Sequence, residues 1–335
     1  MKKILAMKNW KAYIMVWGLL FGASSCVYEE HVPEPAVADA EMRLSVSFNT
    51  GTRAGDPGTD HGERTVNWKT LGVYVVYPDK PYLTFVIDRN VEDPQQSISQ
   101  TFWVYEGNNV EVYAVALPEG YTLSPCSSVD DIKNMQTRID PESGAASNQN
   151  IKDIFSGVLD GVTIEKGKTN VMTVTCTRLA AKIDVQWDAQ GAYENGKFTK
   201  ASMSEITLDG LAQGYVFPSK VSNITYPSIS ENVATFTAND PISVRNGRTY
   251  FYTFPMVGQN SAGDVKKNAI RFTVTYTYND EDGREQQKVH SYKATFDEPS
   301  NPNTWYKVNI KVNGTTASAT EGDHKLELSQ TPTGN

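Results

Sequence analysis

The side chain with the clearest chemical assignment is Cys26. Lys2, Lys3, Lys8 and Lys11 form a basic opening, an apolar run from Ala12 to Phe21 follows, and Gly22, Ala23, Ser24 and Ser25 lead directly to the thiol. That order predicts a secretory signal peptide over residues 1–25. A cysteine immediately behind its small residues is the acceptor for thioether-linked diacylglycerol. A membrane-spanning helix is the competing assignment, but an uncharged stretch of about a dozen residues is short of the ~20 that spanning requires. Each buried methylene of an acyl chain contributes about 0.8 kcal/mol, so a multiply acylated Cys26 anchors the chain stably.

The other reactive side chains do not converge on a catalytic pattern. His31, His61, His290 and His324 are dispersed, and neither His-x-x-x-His nor Cys-x-x-Cys spacing occurs. A Gly-x-Ser-x-Gly elbow and a phosphate-cradling glycine loop are also missing from the sequence. Asp280, Glu281, Asp282 and Gly283 lack the alternating ligands and distant glutamate of a calcium loop and read as a hairpin turn. Paired carboxylates of a glycosidase depend on the fold and stay open at this point. The expectation is a protein with no cofactor, no metal and no enzymatic activity. Cys126 and Cys176 allow one disulfide or two free thiols, and the β-formers around Cys176 favour a small buried thiol. The formal charge is −8, or −12 once the four signal lysines are removed, which repels nucleic-acid backbones.

The elements that would position these residues are strands. Residues 26–40 combine acid and proline without apolar periodicity and read as a lipidated tether. Glu41 to Phe48 then alternates polar and apolar side chains, the period of a half-buried strand, and ends in the turn-rich segment Asn49 to Gly58, an exposed loop. From Leu71 short runs of Val, Ile, Tyr, Phe and Thr recur between Pro, Gly, Asn and Asp, as in Leu71–Tyr77, Tyr82–Ile87, Phe102–Tyr105 and Val110–Leu117. Strands so spaced predict an antiparallel sandwich. Ser127 to Phe155 is polar and poor in β-branched residues, the place for a short helix or a long loop. The run Asn170 to Trp187 is too long for one strand and divides at Arg178 to Ala181. We place a domain boundary there, giving sandwich domains over 41–179 and 180–312 and a tail over 313–335. The second domain is expected to use Ser204–Leu208, Thr249–Phe254, Ile270–Tyr278, Val289–Ala294 and Trp305–Val312, with Asn279–Gly283 turning a hairpin.

In this order the pieces resemble the fimbrillins, type V pilins and fimbrial accessory lipoproteins of Bacteroides-like bacteria. The matching residues are the Cys26 signal, Thr52-Arg53-Ala54, Asp153-Ile154-Phe155-Ser156-Gly157, Arg178-Leu179-Ala180-Ala181-Lys182-Ile183, Tyr252-Thr253-Phe254-Pro255 and Asn303-Thr304-Trp305-Tyr306-Lys307-Val308. The resemblance implies an all-β chain of two transthyretin-like (Ig-like) sandwich domains in tandem. It also implies localisation to the outer membrane or the fimbrium at the cell surface. Its assembly mode would be cleavage between Arg53 and Ala54, departure of the first strand, and entry of a strand from another fimbrial subunit. The residues themselves agree with that scheme, since Arg53 lies in a glycine-flanked loop of the kind proteases cut.

Met42, Leu44, Val46 and Phe48 would plug the groove. At about 1.5–3 kcal/mol for each buried side chain, the four together contribute on the order of 6–12 kcal/mol. An emptied groove would be a strong acceptor for β-strand addition. The chain is less well equipped as a donor, because behind Val312 only Lys325-Leu326-Glu327-Leu328 resembles a strand. Leu326 and Leu328 are the candidate donor residues and would fill a groove poorly, which favours a tip, accessory or anchor subunit over a stalk subunit. The alternative is a surface glycan-binding lipoprotein, for which two of Trp68, Trp103, Trp187 and Trp305 should form an exposed coplanar pair. Replacement of Cys26 by Ala is expected to abolish labelled-palmitate incorporation, and unchanged labelling of that variant would contradict the anchor.

Overall fold

Alternation of inward and outward side chains builds strands such as those over Ala40–Asn49, Thr169–Arg178, Ala269–Asn279 and Trp305–Asn313. The structure is a computed structural model and describes residues 38–49, 66–89, 97–123, 125–138, 149–189, 191, 199–209, 212–216, 220–224, 229–232, 235–237, 246–254, 267–297, 301–313, 316–321 and 324–332.

The first half contains β1 (Ala40–Asn49), β2 (Thr70–Val76), β3 (Leu83–Asp88), β4 (Ser97–Val104) and β5 (Gly107–Leu117). The short helix α1 (Val129–Lys133), β6 (Gln136–Arg138), a 3-10 turn (Gln149–Asp153), β7 (Phe155–Ile164) and β8 (Thr169–Arg178) follow. Helix α1 fills part of the polar gap read from the sequence; Ser128 caps it by accepting from the Asp131 N–H at 3.1 Å. Seven strands form one ladder in the order β3-β2-β5-β7-β8-β1-β4. Strands β7 and β8 share only two register pairs, at Phe155/Arg178 and Ser156/Thr177, so the ladder turns a corner there. Across that corner the two layers face each other. The Phe85 ring of β3 meets the Phe102 ring of β4, tilted, at 4.5 Å, and the Cys176 thiol of β8 donates to the Ala114 carbonyl of β5 at 3.7 Å. A Cβ on Gly157 would strike the Thr175 carbonyl, so the corner requires glycine.

The second half contains β9 (Ala181–Asp188), β10 (Lys200–Asp209), β11 (Ala212–Val216), β12 (Lys220–Ile224), β13 (Ile229–Asn232), β14 (Thr235–Thr237) and β15 (Asn246–Thr253). It continues with β16 (Ala269–Asn279), β17 (Glu285–Thr295), β18 (Trp305–Asn313), β19 (Thr316–Glu321), β20 (His324–Lys325) and β21 (Glu327–Pro332). Two sheets, β15-β9-β18-β19-β20 and β13-β10-β16-β17-β21, enclose a core that includes Ile183, Val185, Phe251, Phe272, Val308 and Ile310. The long run read as two strands is β8 and β9, broken at Leu179 and Ala180, and the two belong to different sheets. The expected hairpin is β16–β17, whose turn is closed by the Asp280 carboxylate accepting from the Asp282 and Arg284 amides, with Gly283 at φ 76°.

Among the described strands the pairing is mostly antiparallel, with two parallel exceptions, β1 beside β8 and β9 beside β18. The tail expected over 313–335 is corrected. Residues 316–332 contribute β19, β20 and β21, and the Leu326 side chain is buried in the second core with Leu328 packed against it. Two leucines at i and i+2 suffice here because β21 gains a six-pair ladder on β17.

A third cluster joins the halves. The outer faces of β2 and β5, through Tyr74, Val76, Tyr113 and Val115, pack with Leu179, Tyr252 and Phe254. Strands β2 and β5 are therefore covered on both faces, which is why their sequences read as continuous apolar runs and do not alternate.

His290 of β17 is buried, lies near the Tyr276 and Tyr292 rings and stands in register with Pro332 of β21. Burial first, then the Lys288 charge, hold its imidazole below the ordinary value of 6.5. Below about pH 6.5 the unfolded chain takes up a proton that the folded chain resists, so stability falls with pH in that window. The urea midpoint is expected to drop between about pH 7.5 and about pH 5, and His290→Phe to reduce that drop.

Candidate strand-exchange site

Strand β1 has the burial pattern of a plug. Ala40 and Met42 are 0 % exposed, Leu44 1 %, Val46 2 % and Phe48 7 %, while Arg43 points to solvent. The strand lies inside the ladder, not at its edge. It pairs antiparallel with β4 from Ala40/Val104 to Ser47/Ser97 and parallel with β8 from Glu41/Thr169 to Asn49/Thr177. Both flanks are satisfied by backbone hydrogen bonds worth about 0.5–1.5 kcal/mol each.

Each end of the plug is held differently. At its start the Asp39 N–H donates to the Val104 carbonyl at 3.1 Å, and the Asp39 carboxylate pairs with Lys166 at 2.6 Å, which holds that carboxyl below its ordinary range. The Asn170 side-chain amide donates to the Glu41, Glu165 and Lys168 carbonyls, tying the β7–β8 turn to the plug. At its far end the Phe48 ring meets Phe155 edge-on at 5.3 Å and Trp68 at 5.9 Å. Trp68 belongs to the chain body and is fixed there: Arg89 lies over its ring at 4.2 Å and donates to the Trp68 and Val66 carbonyls. The Asn67 N–H donates to the Asp153 carboxylate, whose burial raises its pKa against the opposing pull of Lys152 and Arg178. Residues 66–68 are thus anchored to the body by contacts that do not involve β1.

Beside the plug in the same sheet, β8 presents Met172, Val174 and Cys176 inward, and Cys176 stands in register with Phe48. Burial pushes the Cys176 thiol up to about 12, so it is unreactive while β1 is in place. Cys126 and Cys176 are not joined in a disulfide.

The structure brings Met42, Leu44, Val46 and Phe48 together on one buried face. It places Leu326 and Leu328 away from them, at the core of the second half. Cys26, Arg53 and Ala54 lie outside the described residues. Sequence reasoning missed Trp68 and Phe155 as the wall behind Phe48, and Arg89 and Asp153 as its supports. Their only signal was that Asp153 and Phe155 stood within one of the family-like strings.

Among the described residues the tryptophans do not form an exposed coplanar pair. Trp68 is buried, Trp187 and Trp305 are half-buried, and Trp103 is 63 % exposed, so no two of them make an exposed pair. The Trp305 indole N–H donates to the buried Asp184 carboxylate at 3.2 Å, and the ammonium groups of Lys182 and Lys307 lie 4.8 and 4.7 Å from its ring. Arg248 forms a two-point ion pair with the same Asp184.

No protein-family model and no curated protein matches the chain. Solved structures do. A candidate cell adhesion protein from Parabacteroides distasonis superposes with a TM-score of 0.54 at 12 % identity, covering 88 % of this chain and 96 % of that one. A candidate cell adhesion protein from Bacteroides eggerthii does so with 0.54 at 15 % identity, over 88 % and 96 %. The tip fimbrial protein Mfa3 from Porphyromonas gingivalis, truncated at its C-terminus, gives 0.50 at 12 % identity, over 88 % and 99 %. The all-β sandwich architecture is therefore shared with these candidate cell adhesion proteins and with the tip fimbrial protein Mfa3 over most of the chain.

Leu44→Ala in the intact chain is expected to lower the unfolding free energy by about 2–5 kcal/mol, read from the urea midpoint. Val171→Ala, on the exposed outer face of the same sheet, should change it by no more than about 0.5 kcal/mol.

Proposed function

We propose that this chain is a fimbrial subunit of the type V pilus kind, non-catalytic, exported as a lipoprotein and held at the outer membrane and cell surface through Cys26. A protease cuts between Arg53 and Ala54, β1 leaves, and a strand of another fimbrial subunit takes its place. The assembled fimbrium then contributes to adhesion. The observation that carries this reading is that β1, the strand directly before Arg53, fills an interior slot with five buried alternating side chains and a ladder on each side.

The anchoring of Val66 and Trp68 adds a mechanical reason. A cut at Arg53 separates the plug from a body whose own chain is held immediately downstream by Arg89 and Asp153. The plug then keeps only non-covalent contacts and becomes exchangeable. In keeping with the family-like motifs, we read residues 41–179 and 180–312 as two domains. The seating of Leu326 in its own chain's core supports a tip, accessory or anchor role over that of a repeating donor. The shared fold with the tip fimbrial protein Mfa3 is compatible with that role.

The test is exchange itself. Cleavage of the full chain at Arg53 by a trypsin-like protease is expected to permit uptake of a labelled peptide of residues 40–49, detected as a co-migrating complex under native conditions. The Arg53→Ala chain should take up none. Equal uptake by the uncut and cut chains, or uptake by neither, would contradict the mechanism.

A further inference from the structure

The slot beneath β1 is graded along its length, and we infer that it selects a donor strand from a different subunit, one with an aromatic residue at the Phe48 position, and rejects the tail of a second copy. This inference rests on the strand-exchange reading above and concerns which partner that site accepts.

The gradation is in the side chains that fill it. Ala40 is completely enclosed at one end, Met42, Leu44 and Val46 are enclosed in the middle, and Phe48 closes the far end. The subsite that holds Phe48 is made of rings: Phe155 edge-on at 5.3 Å and Trp68 at 5.9 Å. Its wall belongs to the body and not to the plug. Trp68 is clamped by Arg89 through its carbonyl and its ring face, and Phe155 opens β7 and pairs with Arg178 of β8. These supports stay in place when β1 leaves. An incoming strand that ended in a small side chain would leave a void against two fixed rings, and close-packed interiors tolerate such voids poorly. A large residue at the Ala40 position would instead overpack a site with no exposed side.

The sequence of this chain fits such a slot badly with its own tail. The strand-like stretch of residues 324–332 offers two inward leucines, Leu326 and Leu328, and no aromatic. Those leucines are already in use: Leu326 is 2 % exposed, its N–H donates to the Ala319 carbonyl at 3.0 Å, and β21 is laddered to β17 over six pairs. Donation to a second copy would uncover the donor's own core while underfilling the acceptor. A donor from another subunit carries neither cost, provided that it supplies the aromatic.

The full chain cut at Arg53 is incubated with an excess of fluorescein-labelled peptides, and affinity is read by anisotropy. The peptides are residues 40–49 as they stand, the same with Phe48→Ala, the same with Phe48→Tyr, the same with Ala40→Leu, and residues 324–332. Phe48→Ala is expected to bind at least about tenfold more weakly than the unaltered peptide, and Ala40→Leu also more weakly. Phe48→Tyr should stay within about threefold, and peptide 324–332 should show no saturable binding. Binding of Phe48→Ala within about threefold of the unaltered peptide, or comparable binding of peptide 324–332, would overturn the selectivity. If no peptide enters, not even the unaltered one, strand exchange itself fails and the selectivity with it, a result distinct from indiscriminate entry.

Discussion

Everything in the first half of the molecule depends on one buried face, the inward side of β1. Two layers turn over each other at the β7–β8 corner, and the layer β8-β1-β4 is continuous only because β1 lies in its middle. Its five enclosed side chains contact the opposite layer, and its backbone is spent on both neighbours. Without it, β4 would have no hydrogen-bonded neighbour among the described strands, and the inward faces of Met172, Val174 and Cys176 would border an open slot. Unpaired strand edges and uncovered apolar surface are the two conditions that make strand addition favourable.

The second half uses the same local arrangement with a different outcome. Strand β9 also lies inside its sheet, parallel to β18 on one side and antiparallel to β15 on the other, as β1 lies between β8 and β4. The contrast is in chain continuity. β9 is entered directly from β8 through Leu179 and Ala180; the Ala180 carbonyl accepts from the Asn303 N–H, and the Lys182 N–H at the start of β9 donates to the Thr304 carbonyl. Tyr252 and Phe254 bury the same junction against β2 and β5. β1, by contrast, is followed in sequence by Arg53, the cleavage position of the proposed reading. On the proposed reading, one topology therefore yields a permanent strand in one place and a removable one in the other.

Much of this was legible because β1 is covered on one face only, which produces the clean alternation of residues 41–48, and because β16 and β17 meet at a turn with an unmistakable Asp280–Gly283 signature. Two of the strings that prompted the family resemblance are structural joints. Asp153 to Gly157 holds Asn67, backs Phe48 and lets the sheet turn at Gly157; Tyr252 and Phe254 seal the junction between the halves. Residues 316–332 were misread as a tail because their apolar content is low. A strand at the margin of a sheet needs few apolar residues when a neighbour such as β17 supplies its ladder. The parallel pairing of β1 with β8 could not be seen at all, because the register pair Leu44/Met172 joins residues far apart in sequence through contacts no local pattern encodes. The aromatic wall behind Phe48 was hidden for the same reason.

Cys176 offers the most direct measurement of the central claim, because it stands in register with Phe48 and is fully buried with β1 in place. Maleimide labelling of the full chain, with Cys176 followed by peptide mass, should be slow before cleavage at Arg53. After cleavage and removal of the freed strand it should be faster by at least about tenfold, and it should slow again when a peptide of residues 40–49 is added. Labelling of Cys176 that is already fast in the uncut chain, or that is unaffected by removing the freed strand, would contradict the account.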